Sequence, residues 1–80
     1  MTKLVVENTS GIDARMAQQI VQKASEYEAD MTLRYENKEV DLKSILGIMS
    51  LAVLEGAKIE IEAKGPDAEE AIEALKQMIK

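Results

Sequence analysis

Apolar spacing along this chain switches between a period of two and a period of about 3.6 residues, and each switch marks an element boundary. Leu4-Val5-Val6 is a short β-prone run with Leu4 and Val6 on one face, ended by the turn residues Asn8-Thr9-Ser10-Gly11. Asp13 then sits in a helix N-cap position ahead of Met16, Ala17, Ile20, Val21, Ala24 and Tyr27, whose helical spacing makes one apolar stripe. Met31, Leu33 and Tyr35 alternate with polar residues as a half-buried strand. Glu36-Asn37-Lys38 reads as a tight connection in which Asn37 tolerates the left-handed conformation, and Val40 and Leu42 complete a hairpin. Ser44 caps a brief helix over Ile45–Leu51, Gly56 ends that region, and Ile59, Ile61 and Ala63 alternate as a fourth strand. Beyond Gly65-Pro66-Asp67 the stripe Ala68, Ala71, Ile72, Leu75, Ile79 predicts a last helix. Glu69 and Glu70 near its start and Lys76 and Lys80 near its end suit its dipole. The order is βαββαβα, an α+β pattern with an antiparallel sheet whose apolar face the helices cover.

Eighty residues allow one domain, spanning 1–80, and the 46% hydrophobic and 31% charged content is that of a soluble globular chain. A chain this size buries only about 60% of its unfolded surface, so binding is expected on a surface patch rather than in a deep pocket. With no Cys there are no disulfides, thiolate metal sites or thiol nucleophiles. No apolar stretch approaches the ~18 residues of a membrane span and no cationic leader opens the chain, so a cytoplasmic protein without membrane association is expected. A net charge of −5, basic residues in no dense run, and Tyr27 and Tyr35 as the only aromatics argue against a nucleic-acid partner.

Two local motifs carry a resemblance. Gly11-Ile12-Asp13-Ala14-Arg15-Met16 resembles the phosphoacceptor loop Gly-Xaa-His-Ala-Arg-Pro of the HPr family, the histidine-containing phosphocarrier proteins of the sugar phosphotransferase system. Asp41-Leu42-Lys43-Ser44-Ile45-Leu46-Gly47-Ile48-Met49-Ser50-Leu51 resembles the family's regulatory-serine segment. The resemblance runs from about Leu4 to Ile79. It implies an open-faced sandwich, a four-stranded antiparallel sheet with three helices on one face, in a monomeric carrier or regulator with no catalytic activity, metal or cofactor of its own. The partners it implies are HPr kinase/phosphorylase and a catabolite-control transcription regulator, with enzyme I and enzyme IIA of the system as further ones.

The departure from the family is at position 13: Asp13 stands where the family has its phosphorylated His, and the chain contains no His. By resemblance Gly11 and Arg15 form the phosphate-stabilising cradle, and Met16 replaces the family's Pro. Asp13 has three readings: a helix cap and nothing more, a fixed charge that partly mimics the phosphorylated loop, or an acyl-phosphate acceptor. Ser44 matches the serine modified by the family's kinase. Ile45, Leu46 and Met49 then form an apolar partner-binding patch that Met16 extends, while Ile48 and Leu51 turn inward. The alternative is that Ser44 only caps a helix. The family includes a catabolite-repression member that lacks the active histidine and keeps the serine, and this chain is similar to it in logic. The leading expectation is therefore a regulatory module switched at Ser44, and the alternative a carrier, working or inactivated, at the position-13 loop. Glu60 and Glu62 on one strand and Glu69, Glu70 and Glu73 on the last helix read as solvated faces.

Overall fold

The computed structural model describes residues 2–6 and 11–79. It contains β1 (Thr2–Val6), α1 (Ala14–Ala24), β2 (Asp30–Tyr35), β3 (Lys38–Asp41), α2 (Ile45–Leu51), β4 (Ile59–Lys64) and α3 (Ala68–Ile79). The expected βαββαβα order is the observed one. The side chains of Leu4 and Val6, the turn at Asn8-Thr9-Ser10 and the terminal Lys80 lie outside the described residues.

The sheet has the order β1-β4-β2-β3 with every pairing antiparallel. Register and side-chain alternation fit together. Leu33 faces Ile61 on one side and Val40 on the other, and Leu33 and Ile61 are fully buried. One residue along, Arg34 faces Glu60 and Glu39 on the open side of the sheet. There Arg34 Nη2 lies 2.8 Å from Glu39 Oε2, and Lys3 Nζ lies 3.4 Å from Glu60 Oε1. The Glu39 hydrogen bond raises the Arg34 pKa further, so its charge is permanent. A one-residue slip would bury this charged row and expose the apolar one, so the register is strongly specified.

The helices cover the apolar face. α1 buries Ala17, Ile20 and Ala24, and α3 buries Ala68, Ala71, Ile72, Leu75 and Ile79. The fully buried alanines Ala17, Ala24 and Ala71 let the two helices approach each other closely, and α3 packs directly on β1 and β4. The buried residues of all three helices and of β2 and β4 form one core.

Three local expectations need correction. α1 stops at Ala24, so Tyr27 is not on its stripe; Tyr27 reaches the core half-buried from the following turn, where its N–H donates to Ala24 O at 3.2 Å. β3 ends at Asp41, and Leu42 lies beyond it, buried and still donating to Met31 O at 3.0 Å. The left-handed residue of the hairpin is Glu36 (φ 57°), not Asn37. Tyr35 pairs with Lys38, which leaves a two-residue loop, and both turn types that fit such a loop need positive φ at the first central residue.

The turn between α1 and β2 is held from a distance. Asp67 accepts the Glu28 N–H at 2.8 Å through Oδ2 and the Ala29 N–H at 2.9 Å through Oδ1. Those bonds, the Glu28 one foremost, hold its carboxyl below the usual range, and the Lys43 charge adds to the effect. Gly65 (φ 149°) lies so close that a Cβ there would sit 2.9 Å from Ala29 Cα. Only glycine fits such a backbone approach.

Candidate functional site at the starts of α1 and α2

The position-13 loop is pinned before it begins α1. Gly11 (φ 83°) packs against the segment after α2 so closely that a Cβ would lie 3.1 Å from Glu55 N and 3.3 Å from Val53 O. The buried Ile12 donates its N–H to Val53 O at 3.1 Å. Asp13 follows in extended conformation, and its Oδ1 accepts the Met16 N–H at 2.8 Å, the geometry of an N-cap. Arg15 is exposed, and among the described residues no ion pair ties it to Asp13. Met16 is half-buried and packs on the core. A shallow depression of about 290 Å³ beside Asp13 is lined by Gly11, Ile12, Val53, Leu54 and Glu55.

The second signature segment leaves β3 through an aspartate-stabilised turn. Asp41 Oδ1 accepts the Lys43 N–H at 2.9 Å and Asp41 O accepts the Ser44 N–H at 3.1 Å. That turn presents Ser44 half-buried at the start of α2, where its Oγ accepts the Gly47 N–H at 3.1 Å. Lys43 turns away, its Nζ donating to Tyr27 O at 2.9 Å. α2 is amphipathic at short range. Ile48 and Leu51 are buried, while Ile45, Leu46 and Met49 are 41%, 84% and 38% exposed.

α1 and α2 pack against each other, with the start of α1 against the segment that follows α2 and the start of α2 tied through Lys43 to the turn that follows α1. Two features here were not read from the sequence. Leu54, 70% exposed, adds an apolar side chain to the depression beside Asp13. The sequence carries no signal for it, because Leu51, Ala52, Val53 and Leu54 are all apolar and only the structure separates buried Leu51 and Val53 from exposed Ala52 and Leu54. Ala52 closes α2 in the left-handed region (φ 52°, ψ 51°), a conformation that costs an L-residue about 1 kcal/mol and normally falls to glycine. Its N–H donates to Met49 O at 3.2 Å. Among the described residues no group of three or more acidic side chains is placed to hold a metal ion, and no helix is long and apolar enough to cross a membrane.

A four-stranded antiparallel sheet whose apolar face is covered by helices, two of them opened by side-chain caps, defines a small open-faced α+β sandwich domain. The model of the family described as "PTS HPr component phosphorylation site" matches residues 1–80, and the chain belongs to this HPr family of the phosphotransferase system. Its structure is similar to that of HPr-C-His from Thermoanaerobacter tengcongensis, with 42% identity, coverage of 99% of this chain and 91% of that one, and a TM-score of 0.93. It is equally similar to the phosphocarrier protein HPr from Bacillus anthracis, at 41% identity, coverage of 99% and 96%, and a TM-score of 0.93. Crh, the catabolite repression protein of Bacillus subtilis, matches at 38% identity, coverage of 98% and 90%, and a TM-score of 0.79; that protein is described as a domain-swapped dimer.

Proposed function

We propose that this chain is a regulatory binding module of the phosphotransferase system, acting as a single domain over residues 1–80 without catalysis of its own. Phosphorylation of Ser44 is the switch. The observation that carries this reading is the conjunction at α2: a half-buried Ser44 hydroxyl directly beside the exposed side chains of Ile45, Leu46 and Met49, in a chain with no histidine. HPr kinase/phosphorylase would supply the phosphoryl group from ATP. The Ser44 oxygen bonds to the γ-phosphorus, the bond to the ADP oxygen breaks, and the hydroxyl proton leaves to the kinase's base. The modified residue then carries about −1.5 to −2 charge beside the apolar patch, which a catabolite-control transcription regulator would read. Likeness to Crh supports this direction. The test is phosphorylation by HPr kinase/phosphorylase with ATP, read by intact mass and peptide mapping. One phosphate on Ser44, absent in Ser44→Ala, is the expected result; an unmodified chain of native circular dichroism overturns it.

The alternative reading places function at position 13, with enzyme I and enzyme IIA as partners. It is supported by the pinned loop: Gly11, the buried Ile12 and the capped start of α1 fix the backbone on either side of Asp13. Asp13→His decides it. Rapid labelling by phosphorylated enzyme I is expected if Gly11 and Arg15 still serve a phosphoryl group there, and no labelling removes this reading.

A further inference from the structure

Lys43 stands next to the proposed switch but reaches away from it, across sixteen residues of chain, to the Tyr27 carbonyl at 2.9 Å. That carbonyl belongs to the α1–β2 turn, whose next two amides, Glu28 and Ala29, are held by Asp67 at 2.8 and 2.9 Å. Among the described residues these are the turn's side-chain anchors from outside its own stretch of chain; its other bonds, such as Tyr27 N to Ala24 O at 3.2 Å, are local. Lys43 is close enough to Asp67 for its charge to be felt at that carboxylate. One ammonium thus joins the residue before Ser44 to a turn on a different pair of elements.

Resting on the assignment of Ser44 as the regulated residue, we propose that Lys43 couples the phosphorylation state of Ser44 to the α1–β2 turn: phosphoserine draws the Lys43 ammonium off the Tyr27 carbonyl and leaves Asp67 as the turn's remaining side-chain anchor. The competition is between acceptors of different charge. The Tyr27 carbonyl is neutral, while a phosphate on the adjacent residue carries close to two negative charges and three strong acceptor oxygens. The Asp67 carboxylate is a weaker rival, because both its oxygens already accept backbone N–H groups. The lysine stem spans either position by rotation about its own bonds, so the exchange needs no backbone movement at β3 or α2. Its effect is felt at residues 25–29, which lose a charge-assisted bond that the unmodified protein has.

Native-state amide exchange tests this on the full chain prepared by chemical synthesis, with serine or phosphoserine at position 44, so that the outcome does not depend on any kinase. Glu28 and Ala29 amides are expected to exchange about three- to tenfold faster in the phosphorylated chain, the size of one ordinary net hydrogen bond, because the lost Lys43 bond supports these amides indirectly. The Ile61 amide, in the middle of the sheet, serves as the internal measure of global opening and should not change. Lys43→Met is expected to give the same acceleration without phosphate, and phosphoserine should add nothing in that background. Two results overturn the coupling: unchanged Glu28 and Ala29 exchange on phosphorylation, or an equal acceleration by phosphate in Lys43→Met. Failure of the kinase to modify Ser44 would remove the functional reading and leave this result standing, so the two are told apart.

Discussion

Asp13 and Asp67 occupy the same place in the chain, each directly ahead of a helix, and direct their carboxylates differently. Asp13 turns inward to its own helix and accepts from Met16, three residues on, at 2.8 Å. Asp67 leaves its helix to its backbone oxygen, which accepts from Ala71 at 3.0 Å, and extends both carboxylate oxygens to Glu28 and Ala29. The first is a short-range bond that stabilises one helix turn. The second ties together segments nearly forty residues apart and fixes where β2 starts relative to α3. The difference shows where this small fold keeps its rigidity. A carboxylate bound only within its own turn can be exchanged for histidine or asparagine with little consequence for the rest of the chain. One that bridges two segments cannot. The position-13 loop lies at the locally capped end, while the Ser44 segment borders the bridged one through Lys43.

The largest effect should come from the Asp67 end. Gly65→Ala adds a Cβ that would lie 2.9 Å from Ala29 Cα and places alanine at φ 149°. Displacing backbone in that way costs about 2–3 kcal/mol in urea unfolding. Gly56→Ala is the matched control, because Gly56 also has positive φ (87°) but open space around it, so only the conformational cost of about 1 kcal/mol applies. Equal losses at the two positions would show that the Gly65–Ala29 approach does not matter and that the two ends are alike.

Asp67→Asn probes the same contrast through pH. The folded-state pKa of Asp67 lies below its ordinary 3.8, chiefly because the charged form accepts the Glu28 N–H. Its contribution is therefore whole above that ordinary value and is lost as pH falls through the lower folded-state value. In Asp67→Asn this part of the acid-induced loss is absent, so the urea midpoint should be lower than the parent's at neutral pH and fall less steeply on acidification below about pH 4. Parallel pH profiles for parent and variant would mean that the two bonds do not favour the charged carboxylate over its protonated form.

The sequence spoke clearly where the governing physics is local. Asp13 and Ser44 as caps, the stripe from Ala68 to Ile79 and the alternation at Leu33 and Ile61 all follow from spacing and side-chain reach within a few residues. What it did not show depends on partners distant in sequence. Nothing near Asp67 announces that its carboxylate is wanted by Glu28 and Ala29, and nothing near Lys43 points to Tyr27. The Glu36 turn departs from expectation for a related reason: which of two residues takes positive φ is decided by the strand register across the hairpin, not by the more permissive side chain. At the site, the loop and serine segments were legible as motifs. The exposure of Leu54 was not, because it depends on how the segment after α2 lies against Gly11.

The smallest effect separates the readings of Asp13. If capping is its local role, Asp13→Ala loses about 1 kcal/mol, and asparagine, which caps as well as aspartate, restores nearly all of it. For a domain of this size that is a fall in Tm of about 4–8 °C for alanine and little change for asparagine. The charge-mimic reading makes a different demand, because Asp13→Asn keeps the cap and removes the charge. Under it, binding to enzyme I should differ between the parent and Asp13→Asn at unchanged Tm, and the difference should shrink as salt screens an exposed carboxylate. Equal affinity at low salt, together with the expected alanine loss, would leave the Met16 hydrogen bond as the whole role of Asp13 and place the chain's remaining chemistry at Ser44.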